Sequence, residues 1–309
     1  MKKDPEYSRI KNIIWKILEK RRTRCHYTFK NRSKGLNKMV MVLAGYKDYL
    51  YEPVFRRFRQ NLTPDIDVCI ITSGKFVPEI DTMCEKEGWS YLSTKENHVS
   101  LVQNVAILLH PKAQYIYKMD EDIFLCSDYF KRLMKAYEHA KEGQYYPGVM
   151  APLININGYG YVRLLEKLGL TETYTRMFGK PMYAGGPGNI IETSADVARF
   201  FWGEGGYFPS IDEIDLKLRE EPLEERPCPV RFSIGTILFE RSLWENMHYF
   251  SVRLKHRVEL GLDEEDLCAF CIKSSLPIMV SENLVAGHFS FGPQNAAMRE
   301  YFDSHKDIW

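Results

Sequence analysis

Three consecutive acidic residues, Asp120-Glu121-Asp122, follow the apolar run Tyr115–Met119 and lead into Ile123-Phe124-Leu125. Carboxylates spaced by one residue at a strand end present hard oxygen ligands to Mg2+ or Mn2+, and a metal held there can neutralise a diphosphate. The competing reading is a solvated acidic turn. A second acidic group, Asp263-Glu264-Glu265-Asp266, opens a helix-like segment. Its Asp263 and Asp266 make a near-capping box, and acids in a first turn stabilise any helix, so structure and chemistry compete evenly there. His288 lies in Val285-Ala286-Gly287-His288-Phe289 after an apolar stretch. Imidazole can ligate a metal, although a lone histidine is more often structural. Cys268 and Cys271 form one Cys-x-x-Cys without a second pair, which reads as two half-buried helix thiols rather than a zinc or redox site.

These residues need a scaffold. The 309 residues are 45% hydrophobic and 13% aromatic, enough for a large core and against disorder. Met39–Ala44, ended by Gly45, and Asp67–Thr72, ended by Ser73-Gly74, have strand length and composition. Leu50–Asn61, Ser100–Leu109 and Tyr129–Lys141 read as helices between or after strands, so strand and helix alternate and predict a parallel sheet covered on both faces. Ligands bind beyond the carboxyl ends of such strands, where Gly45-Tyr46, Thr72-Ser73-Gly74 and Asp120–Asp122 all fall. From Gly143 on, glycine, proline and aromatics rise. Met182–Asn189 reads as a loop and Glu220–Pro229 as an acidic surface stretch; order returns at Phe232–Phe239, Arg241–Met247 and Glu264–Ser274.

The chain resembles the GT-A glycosyltransferases. Lys118-Met119-Asp120-Glu121-Asp122-Ile123-Phe124 is similar to their DxD motif, and the order of parts matches over roughly residues 39–290. That order comprises an opening strand ending in Ala44-Gly45-Tyr46, Asn97–Asn104 where such enzymes approach the donor, the DxD, Ser233–Trp244 as a glycine-containing strand and arginine-led helix, and Asp263–Leu267 like the family's Glu-Asp motif. The resemblance, to the inverting, bacterial surface-polysaccharide type, implies a Rossmann-like nucleotide-binding half and an acceptor-binding half around one continuous mixed sheet. The corresponding parts are a basic N-terminal helix and linker (1–38), the nucleotide-sugar half (39–150), the acceptor half (151–290) and a tail (291–309).

It also implies a Mn2+ or Mg2+ cofactor on Asp120, Asp122 and His288, and donor binding by Ala44, Gly45, Tyr46, Thr72, Ser73, Gln103, Asn104, Asp120 and Glu121. Tyr46 is placed to stack on the base, and Thr72 or Ser73 to bond the base or ribose. A uridine diphosphate donor is the family default. Inverting transfer needs a carboxylate to take the acceptor hydroxyl's proton, a role that falls by position to Asp266, beside Glu265. Tyr183–Phe201 is similar instead to the fringe-like subgroup, which would make Asp212-Glu213 the rival base. Haloacid-dehalogenase phosphatases and sugar nucleotidyltransferases fit worse. The former carry Asp-x-Asp at the first strand, and the latter need a basic glycine-rich loop where this chain has Gly45-Tyr46-Lys47-Asp48-Tyr49.

Residues 1–40 hold 13 Lys+Arg against 3 Asp+Glu, whereas the body is mildly acidic. No nucleic-acid-binding signature accompanies this arm. Within it, Ile10, Ile13, Ile14, Ile17 and Leu18 take helical spacing among Lys11, Lys16, Lys20, Arg21, Arg22 and Arg24. Two readings stand: an interfacial helix over residues 7–24 on anionic lipid, or a helix docked on its own domain or a second subunit. Asn31–Asn37 reads as a linker. Seven scattered cysteines and no signal-peptide pattern lead to the expectation of a cytoplasmic protein, peripheral at the inner face of the membrane if the helix binds lipid. The acceptor is then a glycan or lipid-linked glycan. The alternative from another class is a catalytically silent membrane-surface scaffold of the same fold.

Overall fold

The computed structural model describes residues 5–186, 188–252 and 261–309, with the side chains of residues 5–12 and 307 apart. The elements run α1 (Pro5–Thr23), β1 (Tyr27–Lys30), β2 (Lys38–Leu43), α2 (Tyr51–Asn61), β3 (Ile66–Ser73), α3 (Pro78–Glu87), β4 (Ser90–Thr94), α4 (Val99–Leu109), β5 (Tyr115–Asp120) and β6 (Ile123–Leu125). They continue with α5 (Tyr129–Lys141), β7 (Val149–Ile154), α6 (Gly160–Leu168), α7 (Thr171–Phe178), α8 (Ile190–Thr193), α9 (Ala195–Phe200) and α10 (Ile211–Leu218). The last are β8 (Glu225–Pro227), β9 (Thr236–Glu240), α11 (Arg241–Asn246), α12 (Leu262–Lys273), β10 (Ile278–His288) and α13 (Asn295–Ser304). Among the described residues, ten strands belong to one mixed sheet. By compactness the chain forms two units, Met1–Tyr46 with Pro64–Lys118 and Phe239–Lys273, and Lys47–Thr63 with Met119–Leu238 and Ser274–Trp309.

In the first unit β2, β3 and β4 pair in parallel and β1 closes the edge antiparallel to β4. β3 is buried at all eight positions, which explains why its sequence is a continuous apolar run rather than an alternation. Helix α4 is buried from Ser100 to Ile107, polar positions included. Its carboxyl end is closed by the buried Arg241, which donates to the carbonyls of Ile107 at 2.9 Å, His110 at 2.6 Å and Ala113 at 2.6 Å. A cation there satisfies acceptors that a helix end leaves open.

Asn31–Asn37 is not a slack linker. The buried Asp67 at the start of β3 accepts from Ser33 Oγ at 2.6 Å and from the backbone N–H groups of Lys34 and Leu36 at 2.8 Å each. Those hydrogen bonds outweigh the desolvation that would raise its pKa and hold the carboxyl below its ordinary range.

In the second unit the eleven buried residues of β10 pair parallel with β7 and antiparallel with β6 and β8. The acidic, proline-rich stretch read as surface thus contributes the short strand β8 inside it. At Gly287 an added Cβ would run into Ile211 Cδ1 and come within 2.6 Å of Trp202 Cη2. Glycine there lets the last turn of the strand pack flat against α10 and the Trp202 ring. Trp202, Phe124, Phe289, Phe302 and Trp309 then form a ring cluster beneath the strand end.

Candidate active site

The strand-end chemistry of the second unit is set by the register of β6 on β10. His288 lies opposite Ile123, and Phe289 N–H donates to the carbonyl of Asp122 at 3.0 Å. This brings His288 Nε2 to 3.4 Å from Asp122 Oδ2. The imidazole is held from behind: Nδ1 lies 3.1 Å from the carbonyl of Ile156, which can only accept, so Nδ1 donates there and Nε2 is the nitrogen turned toward Asp122. The backbone N–H of His288 donates to Asn155 Oδ1 at 2.8 Å, and Trp202 Nε1 donates to the carbonyls of His288 and Phe289 at 3.2 and 3.1 Å.

Asp122 is buried, which by itself would raise its carboxyl pKa. Lys47 and His288 outweigh that and hold it well below the usual carboxylate range. Lys47 Nζ donates to Asp122 Oδ2 at 2.5 Å and to the Ser290 carbonyl at 3.2 Å, while Lys47 N–H donates to Glu121 Oε1 at 2.9 Å.

Of the three expected metal ligands, Asp122 and His288 converge and Asp120 is not grouped with them; no cluster of three His, Cys, Asp or Glu able to hold a metal exists among the described residues. Asp120 ends β5, with its N–H donating to Gly235 O at 2.8 Å, and residues 121 and 122 form a turn. The turn breaks the period-2 alternation that would have put Asp120 and Asp122 on one face. Glu121 is buried against the backbone of Lys47. The oxygen of Asp122 and the oriented nitrogen of His288 nevertheless fit a divalent ion that takes its remaining ligands from water and phosphate, as Mg2+ commonly does.

In the first unit, Gly45 takes φ +118° and the exposed Tyr46 turns its hydroxyl to donate to the Ser73 carbonyl at 2.6 Å. Lys75 Nζ covers the Tyr46 ring at 4.1 Å from its centroid. Ala44 is buried, with its N–H donating to Ile71 O at 2.9 Å. Thr72 and Ser73, assigned to base or ribose by position, are both fully buried. Thr72 Oγ1 donates to the Lys75 carbonyl at 2.7 Å and meets Tyr91 Oη at 3.0 Å, and Ser73 Oγ faces the Glu96 carbonyl at 3.4 Å, so both hydroxyls fasten the turns after the strands.

Asn104 is likewise engaged within the protein. Its Oδ1 accepts from Trp244 Nε1 and Phe250 N–H, and its Nδ2 donates to the carbonyls of Arg22 and Phe250, which fills the amide's capacity. Gln103 is buried and donates to Asp263 Oδ2 at 2.8 Å, which turns that acid inward. The half-buried Asp266 accepts from Ser251 N–H at 2.7 Å, and Glu265 is exposed. The Ser251 segment is itself held by Arg22, which donates to the carbonyls of Met247 at 3.3 Å, His248 at 2.7 Å and Tyr249 at 2.9 Å and to Ser251 Oγ at 3.0 Å.

The rival acids belong to a helix start. Ser210 and Glu213 form a capping box, and Asp212 pairs through both oxygens with Arg57 at 2.8 Å. The Tyr183–Phe201 segment includes residue 187, which lies outside the described residues. Among the described residues no disulfide forms; Cys268 and Cys271 are buried more fully than expected, and burial pushes the Cys271 thiol up to about 12. Sequence reasoning missed Lys47, Asn155 and the Ile156 carbonyl. Lys47 could have been found, since a lysine directly after a predicted strand-end pair reaches the same site.

This is a Rossmann-type, glycosyltransferase-like fold with an acid–imidazole pair at a strand end. Among solved structures it is similar to the mannosyltransferase PcManGT from Pyrobaculum calidifontis in complex with GDP-Man and Mn2+, with a TM-score of 0.50 at 11% identity over 96% of this chain and 72% of that one. At that identity the likeness speaks for the fold. No protein-family model and no curated protein sequence matches the chain.

Proposed function

We propose that the protein is a metal-dependent glycosyltransferase that moves a sugar, with inversion, from a nucleoside-diphosphate donor to an acceptor hydroxyl. The observation that carries this is the convergence of Asp122 Oδ2 and His288 Nε2, with the imidazole held from behind by the Ile156 carbonyl. A divalent ion held by these two residues would supply charge neutralisation for the departing diphosphate. Asp122 would contribute a carboxylate oxygen and His288 its Nε2 to such an ion. Asn155 and Trp202 hold the His288 backbone, and the Ile156 carbonyl holds the ring. In the first unit the face of Tyr46, where Lys75 can give way, is assigned to the base, and Asp266 to taking the acceptor proton.

A nucleoside-diphosphate donor is favoured because the structural neighbour was captured with GDP-Man and Mn2+. The sequence resemblance points to uridine and the neighbour to guanosine, so the test is release of nucleoside diphosphate from UDP- and GDP-sugars with Mn2+ and with EDTA. Metal-dependent turnover of one donor supports the reading. No turnover and no binding of any donor favours the silent scaffold.

A lipid-linked acceptor is favoured by α1. Its Trp15 stacks on His248 with ring centroids 3.7 Å apart, and Arg22 grips the chain behind, so one face is docked. On the other, Ile13, Ile14 and Ile17 are 53%, 50% and 62% exposed. The exposed Lys16, Lys20, Arg21 and Arg24 flank them, a pattern that suits an anionic bilayer surface. Ile10 and Lys11 lie outside the described side chains. No helix among the described residues is long and apolar enough to cross a membrane. Replacing Ile13, Ile14 and Ile17 by serine leaves the docked face intact and is expected to abolish sedimentation with phosphatidylserine vesicles. Unchanged sedimentation, or a dimer that dissociates in the variant, would contradict the membrane role.

A further inference from the structure

The ammonium of Lys47 sits where a cation belongs. One carboxylate oxygen, Asp122 Oδ2, receives Lys47 Nζ at 2.5 Å and has His288 Nε2 at 3.4 Å. The ammonium is anchored a second time on the Ser290 carbonyl, and the residue's own backbone is tied to Glu121. The Asp122 side chain is only 6% exposed and that of Lys47 17% exposed, so this is an enclosed pair rather than a solvated surface contact. A buried carboxylate with no counter-ion is costly, and breaking such a pair by deleting one partner costs more than the pair is worth. A divalent ion ligated by the same oxygen would lie a few ångströms from the ammonium, in a site of low dielectric where like charges repel strongly. Both cations therefore cannot occupy Asp122 in this arrangement.

We infer that Lys47 is the resident counter-ion of Asp122, which divalent metal must displace, and that the nucleoside diphosphate favours the exchange by accepting the released ammonium on its phosphates. The inference rests on the metal-dependent reading given above and adds an order of events to it. Lysine suits the role: its charge is a compact point on a flexible four-carbon stem, and it binds phosphate as readily as carboxylate. Metal capture without nucleotide is then held weak, and capture with nucleotide is strengthened, a coupling that must be reciprocal. The nucleotide-free protein avoids binding stray metal, and the site becomes cationic toward phosphate only when donor and metal arrive together.

The test is Mn2+ titration of the full chain, followed by the paramagnetic resonance of free Mn2+, for wild type and Lys47→Met, without nucleotide and with saturating nucleoside diphosphate. Without nucleotide the variant is expected to bind Mn2+ about 10-fold more tightly, within the usual span of coupled sites. Nucleotide is expected to tighten Mn2+ binding markedly in wild type and much less in the variant. Equal Mn2+ affinity in the two proteins without nucleotide would overturn the exchange while leaving the metal reading intact. No Mn2+ binding by either protein under any condition would overturn the metal reading and the exchange with it. Should Lys47→Met fold poorly, its melting temperature is the readout. Added Mn2+ is expected to raise it further than in wild type, and an equal rise in both would overturn the inference. The double variant Lys47→Met with Asp122→Asn, which removes both charges of the pair, is expected to recover the fold and to show no Mn2+-induced rise; a rise matching wild type would remove Asp122 from metal binding and overturn the exchange.

Discussion

Asp122→Ala is expected to weaken Mn2+ binding, and with it metal-dependent binding of nucleoside diphosphate, by at least about 100-fold, beyond what loss of an outer-shell partner of a metal ligand brings. The variant removes the carboxylate and leaves His288 Nε2 as the remaining member of the pair, because Asp120 is not grouped with it. It also strips Lys47 of its partner, so a fall in melting temperature should accompany the loss. Asp122→Asn separates the two effects. It keeps the shape and an acceptor oxygen for Lys47 Nζ but gives up the charge, so it should melt closer to wild type and still bind metal poorly. Titration calorimetry with Mn2+ and nucleotide reads both variants, and wild-type metal affinity in either would remove Asp122 from the site.

Asp266→Asn should leave donor binding unchanged and lower the turnover rate by roughly 100- to 10,000-fold, the span that general-base catalysis supplies. The substitution is structurally mild. Asparagine keeps an oxygen to accept the Ser251 N–H, so the segment held by Arg22 and the first turn of α12 stay in place. Single-turnover measurement with saturating donor separates chemistry from binding. Transfer at the wild-type rate would take Asp266 out of the mechanism. Asp263 is a less suitable base because it is buried, with the buried Gln103 amide on its Oδ2, whereas Asp266 is half-buried.

The parallel strands of the first unit were legible because burial on both faces leaves uninterrupted apolar runs such as Val68–Ile71. β4 was not: Ser90-Tyr91-Leu92-Ser93-Thr94 is short and polar, and its serines and threonine are buried as hydroxyl fasteners rather than as core. β1 is an exposed edge strand in a basic stretch, and β7 carries Pro152 in a glycine- and proline-rich region, so neither shows a strand's usual alternation. At the site, Asp122 and His288 stood out by residue type. Their pairing depends on the antiparallel register of β6 and β10, which joins residues 166 positions apart and leaves no local trace. The internal hydrogen bonds of Thr72, Ser73 and Asn104 were not legible for a related reason. Small polar residues at strand ends and in helices suit ligands and internal hydrogen bonds equally, and only the finished packing shows which partner is present.

The central claim is most directly tested by calorimetric titration of the wild-type protein with UDP, GDP and their sugars, each in Mn2+ and in EDTA. Saturable binding of one nucleotide that requires Mn2+ and disappears in EDTA is the predicted result. Failure of every nucleotide to bind in Mn2+, or binding that EDTA leaves untouched, would contradict a metal-dependent donor site at Asp122 and His288.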